Sequence, residues 1–227
     1  KRFASIAVAV ACSSAAIASE YPAKPIRIIA QFTPGSSTDI LARIVAQKMS
    51  RDWNQQVVVD NRPGAGGVLG TDMGAKASPD GYTLTMAVSA AFGINPSLYS
   101  KLPYDIIKDF APISNLGLTP QTLVTSPTAP FKTVKEFVAA AKEKPGQINY
   151  ASLGTGSTSH LTMEMFRSAA GITLNHVPFK GSSEGHTALI SGQIPSMFDA
   201  IPATLPQIKG GRLRGLGIAP LKRSQFL

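Results

Sequence analysis

The sequence predicts an α/β fold made of two similar halves in tandem. Three observations predict it. Apolar runs of strand length alternate with stretches of helical periodicity. The alternation pauses between Pro120 and Pro127 and then starts again. In each half, the first strand runs into a loop of Gly, Ser and Thr before the first helix.

In the first half, Ile26–Gln31 is a continuous apolar run, as expected of a strand buried on both faces. Ile40, Leu41, Ile44, Val45 and Met49 fall on one face of a helix. Gln56–Asp60 reads as a second strand, and Asn61-Arg62-Pro63-Gly64 as a turn. A Gly-rich helix to Ala77 and a third strand, Tyr82–Val88, complete a βαβαβ half-unit. Two short strands, Ile113–Leu118 and Gln121–Thr125, are expected next. Thr133 and Glu136 form a capping box for a helix that Lys144-Pro145-Gly146 stops.

The alternation then restarts. Ile148–Ser152, Ile172–Val177, Ile194–Asp199 and Leu213–Ile218 read as strands. His160–Ala170, Ser182–Ser191 and Pro202–Ile208 read as the helices between them.

The N-terminus reads as a targeting segment, residues 1–18. Lys1-Arg2 precedes a short apolar run, and Ala16-Ile17-Ala18 forms an A-x-A cleavage pattern. Export to the periplasm is the expectation. Acylation at Cys12, the one cysteine, ranks second, and the rest of the chain has no thiol for a disulfide or metal. The formal charge is +9. Its Lys and Arg are scattered, with no run beyond Lys222-Arg223 and few aromatics between them, which argues against nucleic-acid binding. A basic surface of this kind favours anionic ligands.

The repeated loops carry the chemistry. They are Phe32-Thr33-Pro34-Gly35-Ser36-Ser37-Thr38-Asp39 and Gly154-Thr155-Gly156-Ser157-Thr158-Ser159-His160. A loop of this type aims backbone N–H groups at a ligand from the positive end of a helix. Neither contains Lys or Arg, so an anion there is met by dipoles and hydroxyls. Simple helix capping is the alternative for either loop, and Asp39 reads best as a cap. The duplication favours a ligand.

Enzyme signatures fail on inspection. Gly64-Ala65-Gly66-Gly67-Val68-Leu69-Gly70 resembles a dinucleotide fingerprint, but the next strand ends in Val88-Ser89-Ala90, without the required acid. It reads as a tightly packed helix start. Gly156-Ser157-Thr158-Ser159 lacks the second Gly of a nucleophile elbow. Lys180-Gly181-Ser182 lacks the upstream Gly of a phosphate loop. His160, His176 and His186 show no metal-ligand spacing: His160 reads as a cap or pocket donor, His176 as a core or rim residue, and His186 as a surface residue. The chain is expected to be neither an enzyme nor a cofactor carrier.

Ordered motifs along the chain resemble the Bug family, the substrate-binding receptors of tripartite tricarboxylate transporters. They include Tyr21–Arg27, Pro34–Asp39, Asn61–Gly67, Pro79–Leu84, Asn95–Tyr99 and Leu102–Asp105. The second half adds Asn149–Ser152, Gly154–Ser157, Val177–Gly181 and Phe198-Asp199. The resemblance implies a type II periplasmic-binding-protein fold, with two doubly wound lobes around a cleft. It implies lobe 1 over residues 19–122, lobe 2 over 123–215, and a return crossover over 216–227, with the C-terminal part of lobe 1 missing.

The ligand implied is a small organic acid. The implied partner is a membrane permease or a sensor kinase, and the receptor itself is a monomer. Carried over by position, the site would comprise Thr33, Gly35, Thr38 and Asp39 on the first loop. Ser89 and Ala90 would form a wall, and Thr155, Gly156, Ser157 and Thr158 the second loop. Phe179 and Asp199 would line the selectivity end. Ser36, Thr155 and Phe179 depart from the family's usual Gly, Asn and Tyr.

Overall fold

The computed structural model describes residues 20–219. The targeting segment and Cys12 lie outside them, as does the end of the expected return crossover.

The first sheet is parallel, in the order β2-β1-β3. Its strands are β1 (Ile26–Ala30), β2 (Val57–Asn61) and β3 (Thr83–Thr85). Helix α1 (Ser37–Trp53) joins β1 to β2, and a 3₁₀ turn (Ala65–Gly67) leads into α2 (Val68–Ala75) before β3. β1 is central because Ile26, Ile28, Ile29 and Ala30 are all buried. Ala42 and Ala46 let α1 sit close on Ile28 and Ala30. A π-helical turn (Ala90–Ile94) then passes into the short helix α3 (Asn95–Leu98).

The second sheet has the order β6-β5-β7-β4-β8. It comprises β4 (Gln121–Thr125), β5 (Asn149–Ser152), β6 (Asn175–Pro178), β7 (Ser196–Ala200) and β8 (Arg214–Ile218). β5 runs parallel to β6 and β7, and β4 runs antiparallel to β7 and β8. The connecting helices are α4 (Val134–Glu143), α5 (Thr158–Ala170), α6 (Ser182–Ile190) and α7 (Ile201–Lys209).

Alternation along the strands explains why both faces are covered. Leu123, Tyr150 and Phe198 face Phe137 of α4 and Met163 of α5. Their neighbours Val124, Ala151 and Met197 face Ala188 and Leu189 of α6. This is the doubly wound arrangement. The capping box at α4 forms: Thr133 Oγ1 accepts from Glu136 N at 3.2 Å, and Glu136 Oε2 accepts from Lys132 N at 2.7 Å. The expected borders at 122/123 and 215/216 fall inside β4 and β8, which pair with each other in the second sheet.

The strand expected at Ile113–Leu118 does not form. Asn115 Oδ1 instead accepts from Gly117 N at 2.9 Å, closing a turn in which Gly117 has φ +141°. Ile113 and Leu118 stay 80% and 91% exposed, so the apolar run is a surface segment that pairs with no strand among the described residues.

Apolar side chains tie the two sheets together, with Val88 packed against the second sheet's core and Phe32 inside it. Phe32, which follows β1 and is 6% exposed, is buried in the second sheet's core beside Leu153, Leu189 and Met197. Phe32→Ala is expected to cost about 3 kcal/mol in denaturant unfolding, the usual loss for a buried phenylalanine. It is also expected to enlarge the radius of gyration in X-ray scattering, and an unchanged radius would show that Phe32 does not hold the lobes together.

Candidate ligand-binding cleft

The two loops predicted from the sequence share one geometry. Gly35 and Gly156 both have positive φ, +82° and +79°, which favours glycine. The N-cap residues Ser36 and Ser157 have nearly identical backbones, φ/ψ −70/160° and −68/156°. Ser36 Oγ accepts from Asp39 N at 3.3 Å, and Ser157 Oγ accepts from His160 N at 3.2 Å. The third helical residue reaches back in each case. Asp39 Oδ2 accepts from Gly35 N at 3.0 Å, and His160 Nδ1 accepts from Gly156 N at 3.4 Å. Each loop is a reciprocal capping box shifted by one residue.

This corrects the reading of Asp39 as the cap. Ser36 is the cap, and Asp39 supplies the return bond because a carboxylate at that position reaches past Ser36 to Gly35. Burial works against the Asp39 charge. Hydrogen bonds from Arg43, Gly35 N and Asn61 outweigh it and hold the carboxyl below its ordinary range, with Arg43 at 2.9 Å.

A cavity of about 360 Å³ opens between the lobes. Gly64, Ala65, Gly66 and Tyr99 line it from the first lobe. Leu153, Gly154, Thr155, Pro178, Phe179, Lys180 and Glu184 line it from the second. Thr155 and Phe179 are therefore in its wall, and Gly156, Ser157 and Thr158 continue from it into α5. Thr33 and Gly35 sit at a different part of the seam, against the start of α6, where Ser183 Oγ donates to Pro34 O at 2.5 Å. Thr38 and Asp39 are buried in the first turn of α1. Ser89 and the buried Ala90 lie at the π-turn after β3.

Asp199 is buried on β7, outside the cavity lining, with His186 Nε2 at 2.9 Å and Ala200 N bonded to its Oδ1 at 2.8 Å. His186 was expected on the helix surface and is instead buried. Its face of α6 packs on β7, where Asp199 offers the imidazole a partner.

The sequence reading missed Gly64–Gly66, Tyr99, Lys180 and Glu184. One signal was available: Gly64–Gly67 follows the end of β2 just as the other loops follow β1 and β5. It was assigned to packing alone. The close packing is real, because the lobes meet backbone to backbone there. A Cβ at Gly66, where φ is +61°, would overlap Thr155 O and lie 3.4 Å from Ser157 N. A Cβ at Gly156 would lie 2.9 Å from Asn95 Oδ1 and from Leu98 Cδ2. A Cβ at Gly181 would overlap Thr33 Oγ1 and approach Thr33 N to 2.8 Å. Tyr99 OH spans the same seam to Thr155 O at 3.5 Å. The cleft is thus drawn closed.

The family model described as tripartite tricarboxylate transporter family receptor matches residues 41–227. The chain belongs to this family. It is 39% identical over 208 residues to BugT of Bordetella pertussis, covering 91% of the chain and 64% of BugT. The chain thus spans just under two thirds of that relative's length. Among solved structures, the periplasmic binding protein BugD aligns with a TM-score of 0.83 at 33% identity, over 89% of this chain and 68% of BugD. An R. palustris protein solved with adipate aligns with a TM-score of 0.87 at 30% identity, over 90% of this chain and 68% of its own. The Bug resemblance and the two-lobed binding-protein fold inferred from the sequence are both borne out. No helix among the described residues is long and apolar enough to cross a membrane.

The seam glycines give a direct test of closure. Gly181 has φ 178°, an extended backbone that any residue adopts, so Gly181→Ala adds only the clash with Thr33. The variant is expected to melt within a few degrees of wild type and to show a larger radius of gyration. Equal radii would mean that the lobes close without this contact.

Proposed function

We propose that the chain is an extracytoplasmic solute receptor that captures a small organic acid in the cleft between its lobes and presents it to the permease of a tripartite transporter. One observation carries the reading: matching capping-box loops, one from each lobe, lie on one close-packed seam, the second at the cavity wall and the first against the start of α6. The Gly35 and Gly156 N–H groups are taken up by Asp39 and His160. A ligand carboxylate would therefore be met by the neighbouring N–H groups and hydroxyls at the positive helix ends.

The wall supports a small, partly apolar acid. Phe179 and Tyr99 supply ring surface, and the volume lies at the small end of ligand pockets. Lys180 is the cation in the lining, and Glu184 sits one helical turn on, with its Oε2 accepting from Lys180 N at 3.1 Å. Neutral donors at the loops fit a receptor that must release its ligand, because they hold an anion without an ion pair. The adipate bound to the R. palustris relative is an acid of the expected kind. The site acts by binding, with no bond made or broken, and the receptor acts as a monomer.

Calorimetry with adipate, glutamate, benzoate and adipamide tests this reading. One or more of the acids is expected to bind and adipamide is not. Ser157→Ala removes the α5 cap and a hydroxyl donor at the loop, and is expected to weaken the best acid about fivefold, the equivalent of about 1 kcal/mol for one lost hydrogen bond. Gly35→Val forces a β-branched residue to φ +82° and is expected to weaken it further. Unchanged affinity in both variants would rule out the two-loop clamp.

A further inference from the structure

Behind the second-lobe loop lies a stack of three rings that the proposed binding site does not use. His160 of α5 stacks on His176 of β6 with centroids 4.2 Å apart, and His176 stacks on Tyr150 of β5 at 5.0 Å. Tyr150 and His176 are register partners in the sheet, so the stack follows from strand pairing.

Both imidazoles are tied to the loop by hydrogen bonds. His160 Nδ1 accepts from Gly156 N at 3.4 Å, which a protonated Nδ1 cannot do. Ser152 Oγ accepts from Gly154 N at 3.1 Å and is hydrogen bonded to His176 Nε2, to which its hydroxyl donates when that nitrogen is unprotonated. Gly154 and Gly156 flank Thr155 in the cavity wall.

The surroundings also disfavour a proton. Glu164 is the carboxylate near the stack, and it is engaged by Arg167 Nη1 at 2.8 and 3.0 Å and by the Tyr150 hydroxyl. The groups acting on His176 are thus His160, Glu164 and Arg167 from α5, with Tyr150 stacked on it from β5.

We infer that His176, acting through Ser152, and His160 are positioning residues that hold the Gly154–Gly156 loop in its binding geometry as neutral hydrogen-bond acceptors. The effect on affinity rests on the carboxylate reading, whereas the coupling of ring to loop does not. Burial, and then the neighbouring His160, lowers the His176 pKa from 6.5 to about 4. Burial lowers that of His160 as well. The sign follows: both bonds are intact at neutral pH, the His176–Ser152 bond reverses direction as pH falls through about 4, and the His160–Gly156 bond is lost below the ordinary histidine range. Protonated His160 Nδ1 is a donor facing the Gly156 donor, whereas protonated His176 Nε2 donates to Ser152 Oγ and turns the hydroxyl proton away.

An NMR titration of the ligand-free chain from about pH 7.5 to 3.5 reads the coupling directly, the range being chosen to bracket ordinary and lowered histidine values. The Gly154 amide is expected to move with the His176 ring at a midpoint near pH 4, and the Gly156 amide with the His160 ring at a midpoint below the ordinary histidine value. Gly35, bonded to Asp39 instead, is expected not to follow. Flat Gly154 and Gly156 shifts, a midpoint near the ordinary histidine value, or a transition shared with Gly35 would overturn the inference.

His176→Phe keeps a ring but removes the acceptor. It is expected to weaken adipate about tenfold at neutral pH, with His176→Gln recovering most of the loss through its amide oxygen. Wild-type affinity in His176→Phe would equally overturn the inference. If wild type binds none of the acids tested, the carboxylate reading fails, and the amide titration still decides the positioning role.

Discussion

The cleft depends on the direct approach of one lobe's backbone to the other's. At Gly66, Gly156 and Gly181, the space a Cβ would fill is occupied by Thr155, by Asn95 and Leu98, and by Thr33. Phe32 adds an apolar tie by burying its ring in the second sheet's core. These contacts fix where the loops end up and how much room lies between them. The cavity is what remains between Gly64–Gly66 on one side and Leu153–Thr155 and Pro178–Lys180 on the other.

Given that closure, the loops themselves need little ornament. Each has a Gly at positive φ, a Ser cap and a third residue that reaches back to the Gly. The two lobes fill that last position with opposite chemistry. Asp39 is held ionised by Arg43, and His160 is held neutral by burial. The first loop is therefore braced by charge and the second by neutral hydrogen bonds, which makes the second the one sensitive to acid.

Much of the fold was legible because each element carried its own signal. The apolar run of β1 and the Thr133 capping box each needed only local rules. The face of α1 was only partly legible: Val45 and Met49 pack on the core, but Ile44 is 60% exposed and the small Ala42 and Ala46 make the buried contact. Ile113–Leu118 was misread because strand propensity does not specify a pairing partner, and Asn115 closes a turn instead. The loops were legible as a repeat. Their division of labour was not, because it depends on which lobe each meets: the first docks on the start of α6, and the second on Gly66 and Tyr99. His186 was misread for the same reason, since its partner Asp199 is 13 residues away in sequence on another element. Family membership adds what geometry alone lacks, a reason to test organic acids as ligands.

The central claim is that a carboxylate is gripped by backbone N–H groups and hydroxyls at the lobe seam rather than by a cation. A crystal structure of the chain with adipate tests it most directly. The account predicts one adipate carboxylate within hydrogen-bonding reach, about 3 Å, of the Thr155 and Thr158 N–H groups or hydroxyls, with its chain against Phe179. Adipate paired with a Lys or Arg side chain away from that loop would contradict it.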